Sequence, residues 1–317
     1  MAYYIGIDLG GTNNKAGLVD EEGRIIATHS VPTLPDRPYQ EIVRDMAACI
    51  KYVLNDAGVG EEEIVSIGIG IPGVAEQKEG KVIFCTNLGW RDIPLRSELQ
   101  KYYNKPVFID NDATVAGFAE SVAGISKGCE SSVFLTLGTG VGAGIVLNGR
   151  PWSGAHGVGT EVGHMTLVPD GVPCTCGNNG CVERYTSATA IIRTAKQYCL
   201  GYPDCAILRL AGGDAEKITA KTVFDAAKEG DRIALSILDS YSNYMAMLIN
   251  NITAFLDPDM VVIGGGVSAA GDILLNAIRE KLPRYLMYKN MPSPEVKLAV
   301  LGNDAGIIGA AMLGKLN

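Results

Sequence analysis

The segment IGIDLGGTN, residues 5–13, is a short apolar strand running straight into a Gly-Gly-Thr turn, and LTLGTGVGAGI, residues 135–145, repeats the arrangement in mid-chain. Around the first turn, Tyr3–Leu9 and two further strand-like stretches within Lys15–Val31, joined at Asp20-Glu-Glu-Gly23, predict a meander. Around the second, Ser132–Leu137 and Val141–Leu147 predict the same strand, turn, strand unit. Two such units within 317 residues predict two α/β halves, each with its own glycine turn, and a cleft between them.

The remaining pattern fits this plan. Ile42, Val43, Met46, Ile50, Val53 and Leu54 recur at the spacing of one helical face over Pro38–Ala57, and Gly58 is the stop. Ile64–Ile71 predicts a strand ending at Pro72-Gly73, and Val107–Ile109 a strand ending at Asp110-Asn111-Asp112, followed by a helix of small residues over Ala113–Val122. Ile233, Ile237, Tyr241, Tyr244, Leu248, Ile252 and Phe255 mark one long amphipathic helix over 233–256. A strand at Met260–Ile263 leads to a third glycine turn, Gly264-Gly265-Gly266. A helix over Gly271–Leu286, a strand over Val296–Leu301 and a closing helix over Ala305–Leu316 complete the plan, the glycines and alanines of the last permitting close packing.

Composition narrows the class of protein. With 47% apolar and 20% charged residues the chain is ordinary for a soluble α/β enzyme and unlike a disordered one. A formal charge of −8 opposes a general nucleic-acid binder, which needs a basic face to meet phosphates. The first residues, MAYYIGIDLGGTN, enter a strand without a basic segment and apolar core of a targeting signal, and no run of about 18 uncharged apolar residues predicts a membrane span. A cytoplasmic, reduced protein is expected.

The most specific chemistry lies at residues 161–183. Cys174, Cys176 and Cys181 form a C-x-C-x4-C run, with His164 ahead of it and Glu161 and Glu183 just outside. Three thiols and an imidazole are the ligand set of tetrahedral zinc, and Gly177 and Gly180 let the backbone turn tightly between them. Four ligands leave no open position for a catalytic water, so the site reads as structural. A disulfide-bearing or thiol-rich loop is the alternative. Cys49, Cys85, Cys129, Cys199 and Cys205 are scattered, with no pairing in their spacing, and His29 and His156 read as ordinary surface or loop residues.

The glycine turns present backbone N–H groups to an anion. None has Walker A or Rossmann spacing, and any one alone is more often a tight hairpin than a phosphate site. Three together, with Asp8 at the lip of one and threonines in two, point to a nucleotide, Asp8 then orienting Mg2+ or its waters. Asp112 has two readings, a helix N-cap or the general base that takes a proton from an alcohol attacking a γ-phosphate. Glu161 and Glu183, with Asn111 and His164, supply acceptors and donors in the number a polyol needs, held rigidly if the metal site forms.

These residues, with TNLGW (86–90), IDNDAT (109–114), GVGTEVGHM (157–165), CTCGNNGCVERYTSATA (174–190) and VIGGGVS (262–268), make the chain resemble the ROK family of sugar kinases and repressors over essentially its full length. The resemblance is strongest to its ATP-dependent bacterial glucokinases. It implies an actin-like, Hsp70-like fold of two α/β domains around an interdomain cleft, residues 1–112 plus 304–317 forming the smaller and 113–303 the larger, zinc-bearing domain. Asp112 corresponds to the catalytic base, and Gly73, Asn87, Asn111, Glu161, His164 and Glu183 to hexose contacts. Asp8, Gly10, Gly11, Thr12, Asn13, Gly138, Thr139 and Gly140 correspond to the phosphate loops, Gly264, Gly265 and Gly266 to the adenosine loop, and His164, Cys174, Cys176 and Cys181 to the zinc ligands. The implied ligands are ATP, Mg2+, structural Zn2+ and a hexose, with glucose first and allose, fructose, mannose or N-acetylmannosamine as alternatives. A homodimer or homotetramer is implied. Repressors of the family carry a DNA-binding segment ahead of the first phosphate strand, so a chain starting at that strand is expected to be a kinase, with a catalytically idle sugar sensor as the contrasting reading. Thr86, His156 and Thr160 depart from the commonest pattern without removing a catalytic group.

Overall fold

The strand β1 (Tyr3–Leu9) runs antiparallel to β2 (Asn13–Asp20), and β2 antiparallel to β3 (Ile25–Pro32), in a computed structural model that describes residues 2–316. On its other side β1 pairs in parallel with β4 (Ile64–Ile71). After β4 the chain forms a small antiparallel sheet of β5 (Val74–Glu76), β6 (Lys81–Cys85) and β7 (Trp90–Ile93). It then returns as β8 (Val107–Asn111), parallel to β4, so the first large sheet has the order β3-β2-β1-β4-β8.

A second large sheet repeats that order. It contains β9 (Ser131–Leu137), β10 (Val141–Leu147), β11 (Arg150–Trp152), β12 (Met260–Gly264) and β13 (Glu295–Leu298), arranged β11-β10-β9-β12-β13. The repeated strand, glycine turn, strand pattern at residues 5–13 and 135–145 is therefore a repeat of topology. The predicted strand over Val296–Leu301 is shorter than expected, ending at Leu298.

The chain divides into two compact units: residues up to Phe134, Gly144–Thr160 and Val300 onward form one, and Leu135–Ala143 with Glu161–Ala299 form the other. The expected boundary after residue 112 differs from this division. The helix Asp112–Val122 stays with the first unit because it packs on the closing helix Ala305–Met312, where a Cβ on Gly309 would lie 1.7 Å from the Val115 carbonyl oxygen. The same closing helix lies against β1 so tightly that a Cβ on Gly6 would fall 2.0 Å from the Ile307 carbonyl oxygen. Beyond Met312 the predicted helix tightens into a 3-10 turn, Leu313–Leu316.

Within the first unit the helix Tyr39–Ala57 covers the sheet with Ile42, Val43, Met46, Ile50, Val53 and Leu54, all buried as their periodicity predicts. Each such side chain removed from water contributes about 1.5–3 kcal/mol. Gly58 ends the helix at φ 65°, its N–H and that of Val59 closing on the Asn55 and Leu54 carbonyls.

In the second unit the helix Arg232–Leu256 starts where the Asp231 carboxylate accepts the Ala234 N–H at 2.8 Å. Ile233, Ile237, Tyr241, Leu248 and Ile252 are buried along it, Tyr244 is half-buried, and Phe255 in the last turn is 82% exposed, contrary to its predicted place on the inner face. Shorter helices at Ala188–Gly201, Ala206–Leu210 and Ala220–Lys228 lie where no helix was predicted, although Val223, Phe224, Ala226 and Ala227 form one buried face of the last.

Candidate active site and metal centre

In the first unit the registers align the chemistry at the carboxyl ends of parallel strands. Asp8 of β1 lies opposite Lys15 on one side and Gly70 of β4 on the other, and Gly70 lies opposite Asp110 of β8. The turn after β1 is closed by Gly10 N–H on the Asn13 carbonyl at 2.8 Å, and the Thr33 hydroxyl donates to the Gly10 carbonyl at 2.7 Å. Burial pushes the Asp8 carboxyl up, and the Lys15 charge opposes it. Glycine at residue 306 leaves room for this carboxyl, since a Cβ there would come 2.7 Å from it and displace it. Asn87 packs next to the same turn, its Cβ 3.4 Å from the point where a Gly11 side chain would begin.

The Asp110-Asn111-Asp112 run divides its labour. Asn111 is the N-cap of the helix Asp112–Val122, its side-chain oxygen accepting the Ala113 N–H at 2.9 Å and the Thr114 N–H at 3.2 Å. Its amide nitrogen donates to the Gly73 carbonyl at 3.1 Å, which joins two predicted hexose contacts directly. Asp112 is the first helical residue and not the cap, although one of its oxygens also accepts the Ala113 N–H at 2.8 Å.

Asp110 was not singled out from the sequence. Its buried carboxylate accepts the Asn111 N–H at 2.8 Å, the Gln77 amide at 2.6 Å and the Ser153 hydroxyl at 3.0 Å. Burial pushes it up to about 6, against the pull of those three donors. Its position between an apolar strand and Asn111 was the only signal available; Gln77 and Ser153 are remote in sequence.

In the second unit the two other glycine turns meet. Gly138 N–H bonds the Gly140 carbonyl at 3.0 Å to close the turn after β9. Gly265, at φ 77°, lies against the end of the same strand, where a Cβ would be 2.6 Å from the Leu137 backbone. The helix Ala188–Gly201 is pinned to the Gly138 turn from the other side: Ala188 N–H reaches the Gly138 carbonyl at 2.8 Å and the Thr189 hydroxyl the Thr139 carbonyl at 2.8 Å.

The cysteine block forms one cluster. His164, Cys174, Cys176 and Cys181 each offer a ligand atom, and these all lie within 4.8 Å of one another. Cys174 Sγ is 3.7 Å from His164 Nδ1 and Cys176 Sγ 3.6 Å from Cys181 Sγ. Bonds of about 2.3 Å to sulfur and 2.0 Å to nitrogen give a tetrahedron edges of about 3.5–3.8 Å, so the donors fit a zinc-sized ion. Backbone bonds shape the knuckle: Cys174 N–H to the Asn178 carbonyl at 2.8 Å, and Leu167 N–H to the Gly180 carbonyl at 2.8 Å. Gly180 is required, since at φ 73° its Cβ would sit 1.7 Å from the Val168 carbonyl oxygen. Burial, followed by the neighbouring thiols, pushes Cys181 up to about 12, whereas backbone donation from Asn178 leads the lowering of Cys176. A cation among the sulfurs offsets that burial cost for the thiolate.

Two glutamates bracket this block in the chain. Glu161 is exposed and precedes the turn Val162–His164, its carbonyl accepting the His164 N–H at 3.0 Å. Glu183 opens the short helix Glu183–Thr186 two residues after Cys181 and accepts the Val141 N–H at 3.1 Å. With Nδ1 turned to Cys174, the His164 ring leaves Nε2 for another partner. Of the scattered cysteines, Cys199 and Cys205 are neighbours in space, Sγ to Sγ 3.3 Å, which their spacing did not reveal.

Two sheets of the same strand order, each entered through a strand, glycine turn and strand, with acidic side chains at the strand ends, define an actin-like ATPase fold. The chain belongs to the ROK family, whose profile matches residues 4–316. It is 39% identical to the glucokinase of Thermotoga maritima, over 98% of this chain and 96% of that protein. To the glucokinase of Halalkalibacterium halodurans it is 37% identical, over 99% of this chain and 95% of that protein. Among solved structures it is similar to a ROK family glucokinase from Streptomyces griseus in complex with glucose and AMPPNP, with a TM-score of 0.83, 34% identity and 100% of both chains covered.

Proposed function

We propose that this protein is an ATP-dependent glucokinase, transferring the γ-phosphoryl group of ATP to the C6 hydroxyl of D-glucose to give ADP and glucose 6-phosphate. The observation that carries the reading is the His164, Cys174, Cys176 and Cys181 cluster bracketed by Glu161 and Glu183, in a chain aligned along almost its whole length with glucokinases. Asp112 takes the hydroxyl proton as the oxygen attacks phosphorus. Asn111, held by its cap bonds and by Gly73, and Glu161, His164, Glu183 and Asn87 bond the remaining hydroxyls. The N–H groups of Gly10, Gly11, Thr12 and Asn13 and of Gly138, Thr139 and Gly140 meet the phosphates, and Gly264–Gly266 the adenosine.

Asp8 is the side chain placed to orient Mg2+, which when bound neutralises charge on the phosphates. His164, Cys174, Cys176 and Cys181 would hold a structural Zn2+, which when bound rigidifies the backbone between Glu161 and Glu183. Among the described residues no helix is long and apolar enough to cross a membrane. A cytoplasmic homodimer or homotetramer belongs to the same reading, and sedimentation measures the assembly.

A coupled assay of ADP release over glucose, mannose, allose, fructose and N-acetylmannosamine tests the assignment. Glucose should give the highest kcat/KM. A tenfold preference for another hexose reassigns the substrate, and no turnover with any of them rejects a kinase in favour of a sugar-sensing protein.

A further inference from the structure

Arg184 and Arg193 are adjacent cations of the second unit that make no ion pair among the described residues, and each keeps a buried side-chain N–H without a partner: Nε of Arg184 and Nη1 of Arg193. Arg193 Nη2 is engaged, donating to the Arg184 carbonyl at 2.6 Å. Arg193 lines a cavity of about 230 Å³ between the helices Ala188–Gly201 and Arg232–Leu256. Thr194, Tyr198, Tyr244 and Ser240 line the same cavity, and no carboxylate does. The acids that pair around these helices are matched by lysines, Glu216 by Lys196 and Asp239, on the longer helix itself, by Lys281, both at 2.6 Å. Burial, then the Arg184 charge, makes the Arg193 cation harder to hold than a free guanidinium, and an anion offsets both.

We propose that this cavity is a second ligand site, distinct from the residues assigned to catalysis, that binds a small phosphate monoester through Arg193. Arg193 is half-buried and its buried Nη1 lacks a partner, and a guanidinium fork suits phosphate oxygens. The volume lies below the range of about 300–1,000 Å³ usual for drug-sized ligands, so the ligand is small. Tyrosines line the cavity beside Arg193, and aromatic rings suit the C–H surface of a sugar, which makes a sugar phosphate the better fit, while free phosphate shares the recognised chemistry. Because Arg193 also holds the Arg184 carbonyl, occupancy bears on the short helix that carries Glu183.

Isothermal titration of the full chain with glucose 6-phosphate, inorganic phosphate and glucose tests this. Ser240 is exposed at the cavity, so Ser240→Asp places a negative charge there without disturbing the core, and Arg193→Lys keeps a charge but loses the fork. Glucose 6-phosphate should bind the parent and weaken at least tenfold in both variants, with glucose affinity and melting midpoint unchanged in Ser240→Asp. Inorganic phosphate binding equally well, with the same loss, would make phosphate alone the ligand. No binding of either phosphate overturns the proposal, as does binding that Ser240→Asp leaves intact, which would be product at the catalytic residues. Failure of either phosphate to bind together with dissociation of an oligomer by Ser240→Asp overturns it too, assigning the groove to a second copy of the chain. None of these readings depends on turnover, so they stand apart from a failed kinase assay.

Discussion

The Glu183 carboxylate accepts the Val141 N–H at 3.1 Å, and the path between them is open only because residue 140 is glycine: a Cβ there would stand 2.4 Å from Glu183 Oε2. A proposed hexose contact thus rests on the turn proposed to meet phosphate. Gly140→Ala should therefore move the carboxylate while barely changing stability, since its tip is the flexible part of the contact. A displacement near 1 Å at a reacting centre lowers kcat/KM by about 10–10². Steady-state kinetics with glucose, beside a melting curve, checks this; an unchanged kcat/KM would detach Glu183 from the substrate.

Asp112→Asn should fold like the parent, because Asn111 supplies the helix cap and an amide oxygen can still accept the Ala113 N–H. Without a base kcat should fall by about 10²–10⁴. Turnover within a few-fold of the parent would reduce Asp112 to a structural role.

Metal analysis of purified protein should find about one zinc per chain, and Cys176→Ala should lose it. Cys176 is exposed, so the side chain itself removes little packing. The lost coordination is worth roughly 10–16 kcal/mol of local folding, and glucose affinity should fall with it. Zinc-free protein that binds glucose as before would separate the cluster from the sugar site.

Asp110 predicts a pH effect on stability. Its carboxyl is raised in the fold from 3.8 to about 6, so the folded protein holds that proton more tightly than the unfolded chain. The stability this contributes is fully present below about 4, falls as pH rises toward about 6, and is gone above it. The whole span amounts to about 3 kcal/mol. Asp110→Asn removes the titration, so its stability relative to the parent should improve between pH 4 and 7 in denaturant titrations. A constant difference across that range would mean that Asp110 titrates like an exposed acid.

Local sequence carried much of the fold because its signals were local. The helix Tyr39–Ala57 could be read from its apolar face and Gly58, and β1, β2, β9 and β10 from apolar runs broken by glycine turns. The cluster of His164 with three cysteines was legible because its ligands lie within one short stretch of chain. Phe255 escaped the same logic: the helical period places it on the inner face, but the helix ends at the next residue and no element covers that turn.

Sequence by itself determined the types of the strongly patterned elements, the repeated glycine turns and the ligand set, since each depends on residues a few positions apart. Tertiary structure alone decided which residues meet across long separations. Asp110 with Gln77 and Ser153, Asn111 with Gly73, Glu183 with Val141, and Arg193 beside the tyrosine-lined cavity are products of strand register and helix packing. The closing helix shows the reason: its glycines announce close approach, but only the packed chain shows that Gly309 meets Val115, which keeps the helix of Asp112 in the first unit.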